Sequence, residues 1–200
     1  FMAAPALGLL YVARQHREDN PARLDQLAWF GGVALFFLTL IFPVQFERQW
    51  ITLGWALEGA ALCWLFRRVP HPGLRGAGTA LLVAAFARLA LNPAVLEYQV
   101  RGEIPILNWQ LYAYSLASLA MFLAAAWMAP PAHLWNKVNL RGLFASLGVI
   151  LLFLLLNIEI ADAFTLPGQR SIIFDGGGHL ARDMTLTISW GLFALALLVV

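Results

Sequence analysis

Apolar residues run along this chain in long blocks. Seven stand out, at 1–13, 27–46, 50–66, 77–95, 109–128, 143–163 and 184–200. Crossing a bilayer as a helix takes about 20 mostly apolar residues. The inner blocks approach that length, while the first and last are cut short by the ends of the chain. The blocks are rich in Leu and Ala and lack the two-residue period of barrel strands, so each predicts a helix. Breakers fall between them: Pro70, Pro72 and Gly73, then Pro130 and Pro131, then Pro167, Gly168 and the run Gly176 to Gly178. Pro43 terminates or kinks the second block. The pattern predicts an all-α, polytopic transmembrane helical bundle of about seven spans, one transmembrane region over 1–200.

Trp29, Trp50, Trp64, Trp109, Trp127 and Trp135 fall near the ends of these blocks. An amphipathic ring prefers the headgroup level, so they read as the aromatic belt of a membrane protein. Composition agrees. Hydrophobic residues make up 61% of the chain and charged residues 12%, against about 25% charged in soluble domains. Mean hydropathy is +0.73. A net charge of +2, with its basic residues dispersed in loops, gives no footprint for nucleic acid. Cys63 is the single cysteine, which excludes an intramolecular disulfide. Both ends lie inside apolar runs, with no charged segment before the first and no small-residue cleavage site after it. The expectation is a fragment of a larger membrane protein.

The distribution of Lys and Arg gives an orientation. Loops 14–26, 67–76 and 129–142 hold Arg14, Arg17, Arg23, Arg67, Arg68, Arg75, Lys137 and Arg141. Loops 47–49, 96–108 and 164–183 hold only Arg48, Arg101, Arg170 and Arg182. The positive-inside rule places the first set in the cytoplasm and the second outside it. A faint repeat also shows: Thr52-Leu-Gly-Trp55-Ala-Leu57 matches Thr187-Ile-Ser-Trp190-Gly-Leu192. A duplicated unit around 27–66 and 143–200 and chance recurrence of abundant residues both account for it.

Charge inside the apolar blocks supplies the candidate chemistry. An ionised group at membrane depth costs about 2.5–3.5 kcal/mol on insertion scales, so it has a partner or a purpose. Glu58 and Arg88 lie roughly 12 and 16 Å from the same cytoplasmic edge if their spans end at 66 and begin at 77. Matching depth on neighbouring antiparallel helices predicts an intramembrane Glu58–Arg88 ion pair. Such a pair is either a packing bridge or a polar site for an ion, headgroup or proton. Asn92, one turn beyond Arg88, either extends that network or ends its helix before Pro93. Glu159 and Asp162, three residues apart, share a helical face near the outer end of their span. Close carboxylates raise one another's pKa, as proton carriers require; the alternative is a span end where carboxylates reach water. The two carboxylates could ligate a divalent metal, but without a His they are a thin set, and no metal or cofactor is expected.

The longest connection gathers Arg170, Asp175, His179, Arg182 and Asp183 around the glycine run. No Lys-Ser/Thr follows those glycines and no strand precedes them, which excludes a P-loop. With Glu159 and Asp162, residues Arg170, Asp175, His179 and Arg182 form an expected outer-face polar cluster. Asp162, Glu159 and His179 are its catalytic candidates, without a nucleophile in view. Asp183, four residues after His179, either pairs with it as orienter of a base or, as the favoured reading, caps the last span or helps a short helix lead into it. In the fifth span Ala113, Ala117, Ala120 and Ala124, with Ser115 and Ser118, form small-residue ridges suited to close helix packing.

Ile51-Thr-Leu-Gly-Trp-Ala-Leu-Glu58-Gly-Ala-Ala-Leu, then Gly73-Leu-Arg and Arg88, resembles the Trp-Ala-x-Glu segment of a bacterial family of multispanning membrane proteins, domain of unknown function 2339. Leu156-Asn-Ile-Glu-Ile-Ala-Asp-Ala-Phe and Arg182-Asp-Met-Thr-Leu-Thr-Ile-Ser-Trp190-Gly-Leu-Phe-Ala-Leu resemble its late segments, so the likeness spans about 50–200. The resemblance implies a bacterial inner membrane location and a longer chain, and no transferable activity. Three functions follow as expectations. The first is a membrane scaffold or cell-envelope component binding lipid or protein partners, non-enzymatic. The second is a transporter or flippase using Glu58/Arg88 and Glu159/Asp162, and the third a membrane-embedded transferase acting at the outer face. The expected partners are the lipid bilayer and the remainder of the chain or other membrane subunits.

Overall fold

A computed structural model describes residues 25–26, 29–34, 37, 48–97, 107–165 and 180–199. They are all-α apart from one small ribbon. Helix α1 is Arg48–Arg68, α2 is Pro72–Leu91, α3 is Trp109–Trp127, α4 is Leu140–Ala163 and α5 is Leu180–Val199. A short 3-10 turn, Pro93–Glu97, follows α2. Residues 25–26, 29–34 and 37 are also helical. The block at 1–13 and most of 27–46 lie outside the described residues. Helices α2, α3, α4 and α5 are each long and apolar enough to cross a membrane. Helix α1, interrupted by Glu58 and flanked by arginines, is not among those four.

Caps set the ends of the helices. His71 Nδ1 accepts from the backbone N–H of Gly73 at 3.1 Å, and Pro72 opens α2, where its missing N–H costs nothing. Helix α2 therefore starts five residues before the expected 77. Pro72, Gly73 and Gly76, which read as loop, lie inside its first turns. It also stops at Leu91 rather than 95, because Asn92 is extended (φ −106°, ψ 100°) ahead of Pro93. The Asn92 side chain then accepts from Ala94 N–H at 3.1 Å. Asn108 and Asn139 cap α3 and α4, accepting from Leu111 N–H at 2.8 Å and Gly142 N–H at 3.1 Å. Loop 129–142 contains an antiparallel ribbon, β1 Leu134–Trp135 with β2 Val138–Asn139. Its turn places Asn136 and Lys137 at positive φ (45° and 70°), as a two-residue hairpin turn demands.

Packing runs in the order α2, α1, α3, α4, α5. In the α1–α2 hairpin, Gly59 meets Gly78 and Leu82. A Cβ on Gly59 would stand 2.7 Å from Leu82 Cγ and 3.0 Å from the Gly78 carbonyl oxygen, so only glycine permits this approach. In the α3–α4 hairpin, Ser118 Oγ donates to the Gly148 carbonyl at 2.9 Å. The shared core includes Leu82, Ala85, Met121, Ala124, Phe144 and Leu151, all fully buried. Tyr114 donates its hydroxyl to the Leu89 carbonyl at 2.7 Å, joining α3 to the end of α2.

Loops alternate between the two ends of the bundle. At one end Asp25 meets His71, and Arg75 donates to the Leu134 carbonyl at 3.3 Å. The Arg75 guanidinium there lies over the rings of Phe66 (5.2 Å) and Trp135 (5.6 Å). At the other end Gln110 donates to the Leu96 carbonyl at 3.4 Å, and Asn108 reaches the end of α4. Among the described residues, the connections 67–76 and 129–142, which hold Arg67, Arg68, Arg75, Lys137 and Arg141, thus share one end.

Candidate functional site

The expected Glu58–Arg88 pair is not formed. The ion pairs among the described residues are His71–Asp25 and Arg182–Asp183. The cause lies in the helix boundaries. With α1 ending at Arg68 and α2 beginning at Pro72, Glu58 is roughly 15 Å from that end and Arg88 roughly 24 Å. Gly59 packs level with Gly78 and Leu82, which leaves Arg88 more than a turn beyond Glu58. Its guanidinium instead lies over the Trp55 ring at 5.7 Å, a cation–π contact.

Glu58 faces a cleft of about 940 Å³ between α1, α2 and the helical stretch around Trp29. Trp55 and Leu62 line the α1 wall, one turn to either side of Glu58. Leu74, Ala77 and Leu81 line the α2 wall, and Trp29, Gly32 and Val33 the third side. At the mouth, His71 Nε2 lies 3.5 Å from Asp25 Oδ1. Glu58 is only 8% exposed, and it makes no hydrogen bond or ion pair among the described residues. Among the described residues no Lys or Arg lines the cleft.

The second acidic site is built differently. Asn108 Nδ2 donates to Glu159 Oε2 at 3.3 Å and to Asp162 Oδ2 at 3.2 Å. Its Oδ1 is occupied by the cap of α3. One amide therefore both starts α3 and bridges two carboxylates on α4. Asp162 is 1% exposed, so the reading of a water-washed span end does not hold for it. Glu159 Oε1 is buried and without a hydrogen-bond partner. The arrangement is a carboxylate pair on α4 that shares the Asn108 amide as a neutral donor.

Of the remaining outer-face candidates, Arg182 falls among the described residues. Arg170, Asp175 and His179 lie outside the described residues. Arg182 is the buried residue of α5, 7% exposed, with its Nε 3.4 Å from Asp183 Oδ1. Asp183 does not cap the helix, which begins at Leu180; it sits in the first turn, where a carboxylate complements the helix dipole. Asn157, five residues before Asp162, accepts from Trp190 Nε1 at 3.0 Å and ties α5 to α4. Among the described residues no three His, Cys, Asp or Glu side chains gather as a metal set.

Sequence reasoning missed Asn108, His71 and Asp25. Asn108 and His71 carried a legible signal, since each stands just before a helix-opening residue where a side-chain acceptor is wanted. The meeting of His71 with Asp25, and the cleft behind it, arise only from tertiary packing. No family model, curated protein or solved structure matches the chain.

Proposed function

We propose that this protein is a scaffold of a bacterial inner membrane, a cell-envelope component that holds lipid or protein partners. The observation carrying the proposal is helix α5. It is 20 residues long, Arg182 is its buried residue, and Ile188, Leu192, Leu195 and Leu198 are exposed. Its contact is with α4, through Phe153, which stacks near Trp190 (6.0 Å) and Phe193 (5.4 Å), and through Asn157. A membrane helix with one side bonded and the rest bare suits a docking arm. The likeness of 50–200 to domain of unknown function 2339 supports the same location, and the positive-inside count supports loops 14–26, 67–76 and 129–142 on the cytoplasmic side.

A photocrosslinker placed at Ile188, Leu192 or Leu195, in membranes of the native organism, tests the reading. Discrete adducts to protein or lipid, from these positions and not from buried Leu151, are expected. Diffuse labelling identical at all four positions would contradict it. Transport is a second reading, favoured by the cleft at Glu58. Proteoliposomes would then pass a solute that the Glu58→Gln variant does not.

A further inference from the structure

The cleft at Glu58 lies on the α1–α2 side of the bundle, away from α5, and needs its own explanation. Its size is that of a pocket for one drug-sized organic molecule. Its walls are apolar and aromatic, with Trp29 and Trp55 on two sides. At its inner end stands one carboxylate, Glu58, without a partner among the described residues. The other lining carboxylate, Asp25, is already beside His71 at the mouth. A lone carboxylate in apolar surroundings is costly to keep ionised, and a cation at that position offsets the cost.

The chemistry of the walls narrows the cation. A hydrated metal ion needs several oxygen ligands, and the cleft offers one carboxylate at depth. A diffuse organic cation needs little hydration, gains from tryptophan faces, and fills apolar volume. Among the described residues no Lys or Arg is in the lining; the Arg88 guanidinium lies over the Trp55 ring at 5.7 Å, which leaves Trp29 as the open tryptophan face. We propose that this cleft binds a lipophilic organic cation, with its charge at Glu58 and its apolar body against Trp29, Trp55 and Leu81.

Binding of radiolabelled tetraphenylphosphonium to the whole protein in phosphatidylcholine nanodiscs tests this. Saturable binding is expected, weakened at least tenfold by Glu58→Gln and unchanged by Glu159→Gln. A neutral aromatic of similar size, triphenylphosphine oxide, should compete at least tenfold less well. Ala77→Trp, on an exposed wall position, should fill the cleft and abolish binding with Glu58 intact. It also provides the test if Glu58→Gln does not fold. Absence of saturable binding, equal competition by the neutral compound, or wild-type binding by folded Glu58→Gln or by Ala77→Trp would each overturn the proposal. The neutral result would identify the cleft as a lipid-filled gap.

Discussion

The α1–α2 and α3–α4 hairpins are both antiparallel pairs of apolar helices, with Glu58 embedded in α1 and Glu159 and Asp162 in α4, and they are held together by different chemistry. Between α1 and α2 no hydrogen bond joins described side chains. Contact comes from the Gly59–Gly78 approach and from arginines over rings, Arg75 on Phe66 and Arg88 on Trp55. Between α3 and α4 the contact is polar, through Ser118 to Gly148 and Asn108 to Glu159 and Asp162. Glycine packing leaves side chains off the seam free to face elsewhere, and Glu58 faces a cleft. Polar packing consumes the side chains it uses, and Glu159 and Asp162 are tied down. Embedded charge alone therefore does not mark a site; what occupies its hydrogen bonds decides.

The contrast can be broken most forcefully at the glycines. Gly59→Leu puts a branched side chain where even Cβ would stand 2.7 Å from Leu82. Overpacking of that kind costs about 3 kcal/mol, and thermal unfolding in detergent should show most of the protein destabilised. The matching control is Gly191→Leu on α5, where a Cβ meets nothing within 4 Å and the melt should not move. Next comes Asn108→Ala. It removes the cap of α3, worth about 1 kcal/mol, and strips a donor from two carboxylates, costing about 1–3 kcal/mol more. Hydrogen exchange should then rise at the start of α3 and the end of α4 and stay unchanged in α1. Equal loosening of α1 would count against two separately held hairpins. Ser118→Ala should cost only about 0.6 kcal/mol, the usual worth of a hydrogen bond between membrane helices. A larger loss would mean that the α3–α4 seam depends on that one bond. The smallest effect is expected from Trp190→Phe, which keeps the ring contact with Phe153 and loses the bond to Asn157. Its stability should change by less than about 1 kcal/mol, while crosslinking between α4 and α5 weakens.

Much of this was legible before the fold. Helix α3, expected over 109–128, runs Trp109–Trp127, because its apolar block is long and unbroken and the Pro130-Pro131 pair punctuates its end. Helix α4 ends at the expected Ala163. Helix α2 was misplaced because Pro72, Gly73 and Gly76 carry loop propensity, yet a proline at the first helical position and a histidine cap make them a helix start. That shift of five residues undid the depth match on which the Glu58–Arg88 pair rested. The Glu159–Asp162 face was visible in the three-residue spacing, but the amide that bridges it comes from another helix, 51 and 54 residues away. No local pattern reports a partner at that distance. The cleft was invisible for the same reason: its walls come from three separate stretches of chain.

Asp162 holds the fold together and Glu58 does not. Thermal unfolding of Glu58→Gln and Asp162→Ala, side by side in one detergent, tests it most directly. Glu58→Gln should lie within about 0.5 kcal/mol of the parent, and Asp162→Ala should lose about 2 kcal/mol, by stripping a buried acceptor from Asn108. Equal losses in the two variants, or a larger loss from Glu58→Gln, would contradict the account.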